Sequence, residues 1–370
     1  MIYKRIIFNK KLPIKQRILK AFLYFILRRK ARISWWMRFK KVFFFNPEYI
    51  KPIDKAAEKT HKSYWSFFSK DINLQTIRVC AHISGASNAE MVPEEIYVSD
   101  IEPSLNTEKG IEYISNKSFY NLWYPGSLFP KSYFHNIAGE YYDNCLNIVT
   151  YEDILNIVNE LSYPVVLKPN KDSYGGQDIY FLKNKYELIE KILNRKNYVV
   201  QEKLEQHPFF AKYNPNGLNT IRVYLYKSVK NEKYRVINTA LRMGKGGSLD
   251  NETAGGIICL IKPNGQLNGY AVDKYGTKYE KHPDTGYRFD EIVPEYSKLT
   301  QESISISQKV FYSRILGLDA YYDRESRWRF IEINTRGHTI RFSQYGGQPF
   351  FKEYSSEILE YCKINHWALQ

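Results

Sequence analysis

The alternation of apolar and polar positions is clearest in the second half of the chain. Residues 154–161 carry helical spacing, and Tyr163–Lys168 reads as an apolar strand. Further strands are predicted at 178–182 and 198–201, with a helix at 186–193 between them. Residues 220–227 and 234–243 alternate like a strand pair, and 256–261 with 269–272 read as a hairpin across Pro263-Asn264-Gly265. A helix is predicted over 299–316. Strands follow at 318–322 and 327–333, joined by a polar turn at Asp323–Arg324. Upstream the pattern is mixed, with a helix at 53–70, a strand at 76–82 and turn signals at Pro93 and Pro103. The sum is an α+β chain with mostly antiparallel sheets. It has no internal repeat or low-complexity tract.

The first 46 residues follow a different pattern. The stretch Ile18–Leu27 is apolar but interrupted by Lys20, and crossing a bilayer takes about 20 apolar residues, so it is not expected to span. Bulky apolar residues, Trp35 and Trp36 alternate with Arg28, Arg29, Lys30, Arg32, Arg38, Lys40 and Lys41. That is the composition of a helix lying in a membrane interface. Packing on the protein's own surface and docking on a partner protein are the alternatives.

Charge sharpens this division. The formal net charge is +15, yet residues 1–45 hold 14 Lys or Arg and no Asp or Glu, and the remainder is nearly balanced. A nucleic-acid binder would spread its basic charge over the folded part, so that class is set aside. Cys80, Cys145, Cys259 and Cys362 lack CxxC spacing and read as reduced, in a cytosolic protein. No secretory cleavage pattern is visible.

Candidate chemistry sits at strand ends. Lys168 closes an apolar strand and is followed by a loop containing Ser173, Gly175 and Gly176, then a further strand. Such a loop admits phosphate oxygens to backbone N–H groups, and the lysine adds a point charge. An ordinary glycine hairpin would look similar. Neither GxxxxGK[ST] nor GxGxxG is present. Downstream, Asp319 is followed by Phe330-Ile331-Glu332-Ile333-Asn334. Glu332 and Asn334 are two apart and share a strand face. Carboxylate and amide oxygens without His or Cys suit a hard cation, Mg²⁺ above all. A polar strand edge is the plainer alternative, but the flanking Phe330, Ile331 and Ile333 argue against it.

Together these pieces resemble the ATP-grasp superfamily over about residues 112–347. Residues 246–251, 254–256 and 282–286 make the chain similar to its sugar-transfer-associated branch and, more loosely, to teichuronopeptide-biosynthesis proteins and ribosomal-protein glutamate ligases. The resemblance implies two α+β subdomains clamping ATP, here 116–203 and 204–370, after a small mixed α/β domain (47–115) and the basic arm (1–46). It implies ATP contacts at Lys117, Lys168, Ser173, Gly175, Gly176, Gln201, Glu202 and Leu204. It places Mg²⁺ on Asp319, Glu332 and Asn334. Arg242 and Asn251, with Lys168, stand near the reacting phosphate, and Arg222, Arg336 and His282 are candidates for the substrate. Residues 216–222 lack the acidic ribose ligand many relatives carry.

The implied activity is ATP-dependent carboxylate–amine ligation through an acyl phosphate, with no protein nucleophile. The expected setting is cell-surface polysaccharide assembly, with a uronic-acid carboxylate as acceptor, at the inner face of the cytoplasmic membrane. A sugar kinase and a non-catalytic ATP-binding scaffold are the rival readings.

Overall fold

A computed structural model describes residues 2–124, 126–171, 178–247 and 255–370. Ser173, Gly175, Gly176 and Asn251 lie outside the described residues.

The chain opens with helices α1 (Ile2–Ile7) and α2 (Ile14–Phe45). Tyr24, Arg28, Ala31, Trp35, Phe39 and Val42 recur every three or four residues and form the buried stripe of α2. The arm therefore packs on the body along one face. Helices α3 (Lys55–Trp65) and α4 (Gln75–Ser84) follow. The regular elements of 47–115 are all helical among the described residues, where a mixed segment was expected. The strand expected at 76–82 is α4. Its buried positions Thr76, Ile77, Val79, Cys80 and Ile83 follow a helical period, and Gly85 ends it with a left-handed φ of 76°. The β-branched composition suggests a strand, but packing against α2 and the second sheet decides for helix.

The next unit is a six-stranded sheet in the order β3-β2-β1-β6-β4-β5. Its strands are β1 (Ser132–Ile137), β2 (Glu140–Asp143), β3 (Ile148–Val149), β4 (Val165–Pro169), β5 (Tyr180–Leu182) and β6 (Tyr198–Glu202). All its pairings are antiparallel. Helices α5 (Tyr151–Glu160) and α6 (Lys185–Ile192) bury Ile154, Val158, Leu188 and Ile192 against Val165, Leu167 and Val200. A reciprocal Thr150–Asp153 capping box starts α5.

A seven-stranded antiparallel sheet follows, in the order β11-β10-β9-β8-β7-β12-β13. It comprises β7 (Thr220–Lys227), β8 (Tyr234–Met243), β9 (Ile257–Ile261), β10 (Leu267–Asp273), β11 (Lys278–Tyr279), β12 (Ile315–Tyr322) and β13 (Trp328–Asn334). Helix α7 (Tyr296–Ser307) ends well before the expected residue 316, because the chain is already extended at Ile315. Every residue of β12 is buried. Leu316, Leu318 and Ala320 face the core that includes Leu299 and Ile306 of α7, while Ile315 joins Tyr224, Tyr226 and the N-terminal helices. Both faces of this sheet are thus covered, and its central strand loses the half-buried alternation. Helix α8 (Ser355–Asn365) and a final turn close the chain beside α1 and α2.

Asp100 fastens the two chain ends together. It is fully buried and accepts hydrogen bonds from Tyr24 Oη (2.8 Å) and Arg28 Nη1 (2.7 Å), and its Oδ1 lies 3.0 Å from His366 Nε2. Burial pushes its carboxyl up, but Arg28, His366 and Ser99 outweigh that and hold it below the ordinary carboxylate range. Its contribution to stability is therefore complete above the ordinary carboxylate pKa and is lost as pH falls through the lowered one. Asp100→Ala leaves Arg28 buried without its carboxylate and is expected to cost about 3–5 kcal/mol. Urea denaturation reads this as a lower midpoint, with faster proteolysis between α1 and α3; an unchanged midpoint refutes it.

Candidate active site

The charged centre lies on one face of the second sheet. A bulge in the β12–β13 ladder creates it. Asp319 pairs with Glu332, whereas Ala320 pairs with Phe330, which leaves Ile331 as the extra residue. The bulge shifts the alternation, so Phe330 and Ile333 both enter the core while Glu332 and Asn334 turn to the opposite face. Two carboxylates directly opposite each other repel, and cations from three neighbouring segments offset that here. Arg222 on β7 binds Asp319 through Nε (2.5 Å) and Nη2 (3.0 Å), and Arg242 on β8 adds Nη1 at 3.0 Å. Together they hold the Asp319 carboxyl at about 2 against the opposing effect of burial. Asn334 Nδ2 lies 3.4 Å from Asp319 Oδ2.

Lys117 stitches this face to the first sheet. Its backbone N–H donates to the Asn170 carbonyl just past β4 (2.8 Å), and its Nζ reaches Glu332 Oε1 (2.8 Å). Lys168, near the end of β4, is 6% exposed. Burial, then the neighbouring Lys117, lower its ammonium to about 7, and Glu332 only partly opposes this. A buried lysine pair facing one shared carboxylate is an anion site short of negative charge.

The adenine-hinge candidates form a second tie between the sheets. Gln201 is paired in β6 between β1 and β4; its Nε2 donates to Ser132 Oγ (3.0 Å), and its buried Oε1 has no partner among the described residues. The Glu202 carboxylate accepts from Lys131 N (2.9 Å) and from Arg329 Nη2 of β13 (2.6 Å). Its side chain thus joins the sheets. Leu204 is half-buried just beyond the end of β6.

Two substrate candidates sit away from this centre. His282 is buried, with Nε2 2.9 Å from the Gly244 carbonyl and Nδ1 accepting from Asp284 N (3.3 Å). Burial lowers its pKa, and backbone groups occupy both ring nitrogens, so it braces the segment leading to Gly246 and Gly247. Arg336 donates to the Asn106 and Glu108 carbonyls (3.2 and 3.1 Å) and pairs with Glu112 (3.2 Å). It lines a cavity of about 300 Å³ with Glu102, Asn106, Lys109 and Trp367.

Local sequence does not show how the site is supported. His338 Nε2 lies 3.1 Å from the Asn334 carbonyl, while its Nδ1 meets Glu102 (2.8 Å) and Tyr97 Oη (3.1 Å). Gly317 pairs with Asn334, and a side chain there would meet the His338 ring at 3.2 Å and Arg222 at 3.4 Å. A glycine in the middle of an apolar strand was the available signal.

The donor set fits a magnesium ion. Asp319, Glu332 and Asn334 carry oxygens on one face, where Arg222 and Arg242 engage Asp319 and Lys117 engages Glu332. Water and substrate phosphates would complete the shell, as is usual for this ion.

Two antiparallel sheets joined by lysines at one end, with an Asp…Glu-x-Asn set across the junction, define a protein of the ATP-grasp class. The chain belongs to the sugar-transfer associated ATP-grasp family, whose model matches residues 99–356. No curated protein matches it in sequence. Among solved structures it is similar to the biotin carboxylase domain of the Hydrogenobacter thermophilus 2-oxoglutarate carboxylase (14% identity, 64% of this chain and 45% of that one, TM-score 0.40). It is also similar to the N5-carboxyaminoimidazole synthase of Aspergillus clavatus (11%, 68% and 53%, 0.38) and to the ATP-grasp ligase PsnB (14%, 70% and 63%, 0.38). The chain spans about half the length of the first two.

Proposed function

We propose that this protein uses ATP and Mg²⁺ to join a carboxylate to an amine, with a uronic-acid sugar of a cell-surface polysaccharide precursor as the carboxylate. The observation that carries the reading is the contact of Lys117 with Glu332 across the two sheets, with Lys168 buried beside them and Asp319 opposite Glu332. Lysines deprived of negative charge beside paired carboxylates suit a polyphosphate and its cation.

In this reaction a carboxylate oxygen attacks the γ-phosphorus, and the bond to ADP breaks. The amine nitrogen then attacks the acyl carbon and gives up its proton to solvent. Phosphate leaves with the oxygen that began in the carboxylate. Lys117 and Lys168 hold phosphate oxygens, and no protein nucleophile is needed. Asp319, Glu332 and Asn334 would hold Mg²⁺, which when bound neutralises charge on the phosphates. Arg242 and Asn251 serve the same reacting end. Ser173, Gly175 and Gly176 cover the phosphates, and Gln201, Glu202 and Leu204 seat the adenine. Arg336, on its cavity wall away from this centre, is assigned to a remote part of the sugar; Arg222 holds Asp319 at the centre, and His282 braces the segment leading to Gly246 and Gly247. The arm holds the enzyme at the inner membrane surface where a lipid-linked acceptor is presented. No helix among the described residues is long and apolar enough to cross a membrane.

The test is a panel of uronic-acid sugars crossed with amines, with ATP and Mg²⁺, read as ADP and free phosphate. Both products are expected only when both partners are present, and Glu332→Ala is expected to lose them. ADP without free phosphate or an amine requirement contradicts the ligase and indicates a hydroxyl-directed kinase.

A further inference from the structure

One face of α2 is consumed by the body, and the opposite face is not. Ile14, Ile18, Phe22, Leu23, Phe25 and Ile26 are each between 45% and 66% exposed. Large contiguous apolar surfaces of this kind mark contact sites. The segment just before α2 lines a groove of about 560 Å³ where residues 4–11 meet residues 363–369. Lys4, Arg5, Lys11 and Lys363 line it, and Phe8 and Ile364 stand on its rim, 74% and 75% exposed. The groove is built from fixed parts: Arg5 Nη1 donates to the Lys363 carbonyl (2.7 Å), and Asn9 Nδ2 to the Leu369 carbonyl (2.9 Å). Glu360 pairs with Lys363 (2.5 Å), but among the described residues no carboxylate pairs with Lys4, Arg5 or Lys11.

We propose that this groove is a headgroup site that seats the phosphate of an anionic phospholipid in a bilayer. The exposed cations Lys4, Arg5 and Lys11 meet the phosphate, while Phe8, Ile364 and the apolar face of α2 enter the acyl boundary. An acidic protein partner would not call for Phe8 and Ile364 to stand largely exposed beside the cations. A soluble phosphate would not call for the exposed apolar face of the helix that begins just after the groove residues. This inference rests on the membrane part of the proposed function and adds a defined lipid contact, which fixes which end of the arm is anchored.

Co-sedimentation with phosphatidylcholine vesicles, with and without an equimolar share of phosphatidylglycerol, tests it. The wild-type chain is expected to bind the anionic vesicles far better. Lys4→Gln/Lys11→Gln, both exposed, is expected to weaken that binding roughly 30-fold, from ~1 kcal/mol per cation, with unchanged thermal stability. Lys40→Gln/Lys41→Gln at the far end of α2 is expected to change it much less. Equal losses in the two double variants overturn the groove and leave only diffuse attraction. Release of the wild-type chain by inorganic phosphate, but not by chloride of equal ionic strength, overturns the lipid assignment in favour of a soluble phosphate. Wild-type protein that ignores anionic vesicles sinks the membrane reading itself.

Discussion

Lys168→Met is expected to cut ATP-dependent turnover by roughly 10²–10³-fold, the scale of losing one preorganised charge at a reacting centre. Without nucleotide, Lys168 is buried beside Lys117, with Glu332 as the shared counter-charge. The variant fills the same space without that charge, so its own fold is not weakened. What it loses is the response to ligand. MgATP is expected to raise the melting temperature of the wild type, and this shift is expected to vanish in the variant. The free ammonium sits at about 7, and bound polyphosphate favours its charged form. Binding must therefore take up a proton above pH 7, with affinity level below that pH and falling toward about tenfold per unit above it. Calorimetry in buffers of different ionisation enthalpy detects the proton, and the variant serves as the blank. Wild-type turnover in Lys168→Met contradicts this role.

The second large effect is structural as well as catalytic. Asp319 is 8% exposed and is the shared partner of Arg222 and Arg242. Asp319→Ala takes the shared carboxylate away from the buried Arg242 and the part-buried Arg222 and is expected to destabilise the protein by about 3 kcal/mol, with loss of turnover. A triple replacement, Asp319→Leu with Arg222→Met and Arg242→Met, removes the whole charge cluster and is expected to recover part of the stability and none of the activity. Denaturant midpoints and phosphate release separate the two roles. If Asp319→Ala keeps the wild-type midpoint, the three side chains are not coupled as described.

Much of this architecture is legible from side-chain periodicity. β7 and β8 begin and end where the alternation does. The polar positions Asp319, Glu332 and Asn334 stand out because their strands are otherwise apolar. β1 and β2 are not legible. Their turn passes through Ala138 and Gly139 at φ 56° and 105°, a left-handed pair usually announced by Asn-Gly or Asp-Gly, and β1 buries His135 and Asn136 where an apolar pattern would be sought. The exposed and buried faces of the arm are also mixed in sequence. Both are rich in large apolar residues, so only packing reveals that Tyr24, Arg28 and Trp35 belong to the body while Phe22 and Phe25 do not. The supports at His338 and Glu102 are distant in sequence, and no local signal joins them.

The most direct measurement of the central claim follows the oxygen that leaves the substrate. A uronic acid carrying heavy oxygen in its carboxylate is incubated with enzyme, ATP, Mg²⁺ and the amine, and the released phosphate is analysed by mass spectrometry. An acyl phosphate predicts one labelled oxygen in each phosphate formed and one retained in the amide. Unlabelled phosphate, or phosphate retained on a sugar hydroxyl, would contradict the account.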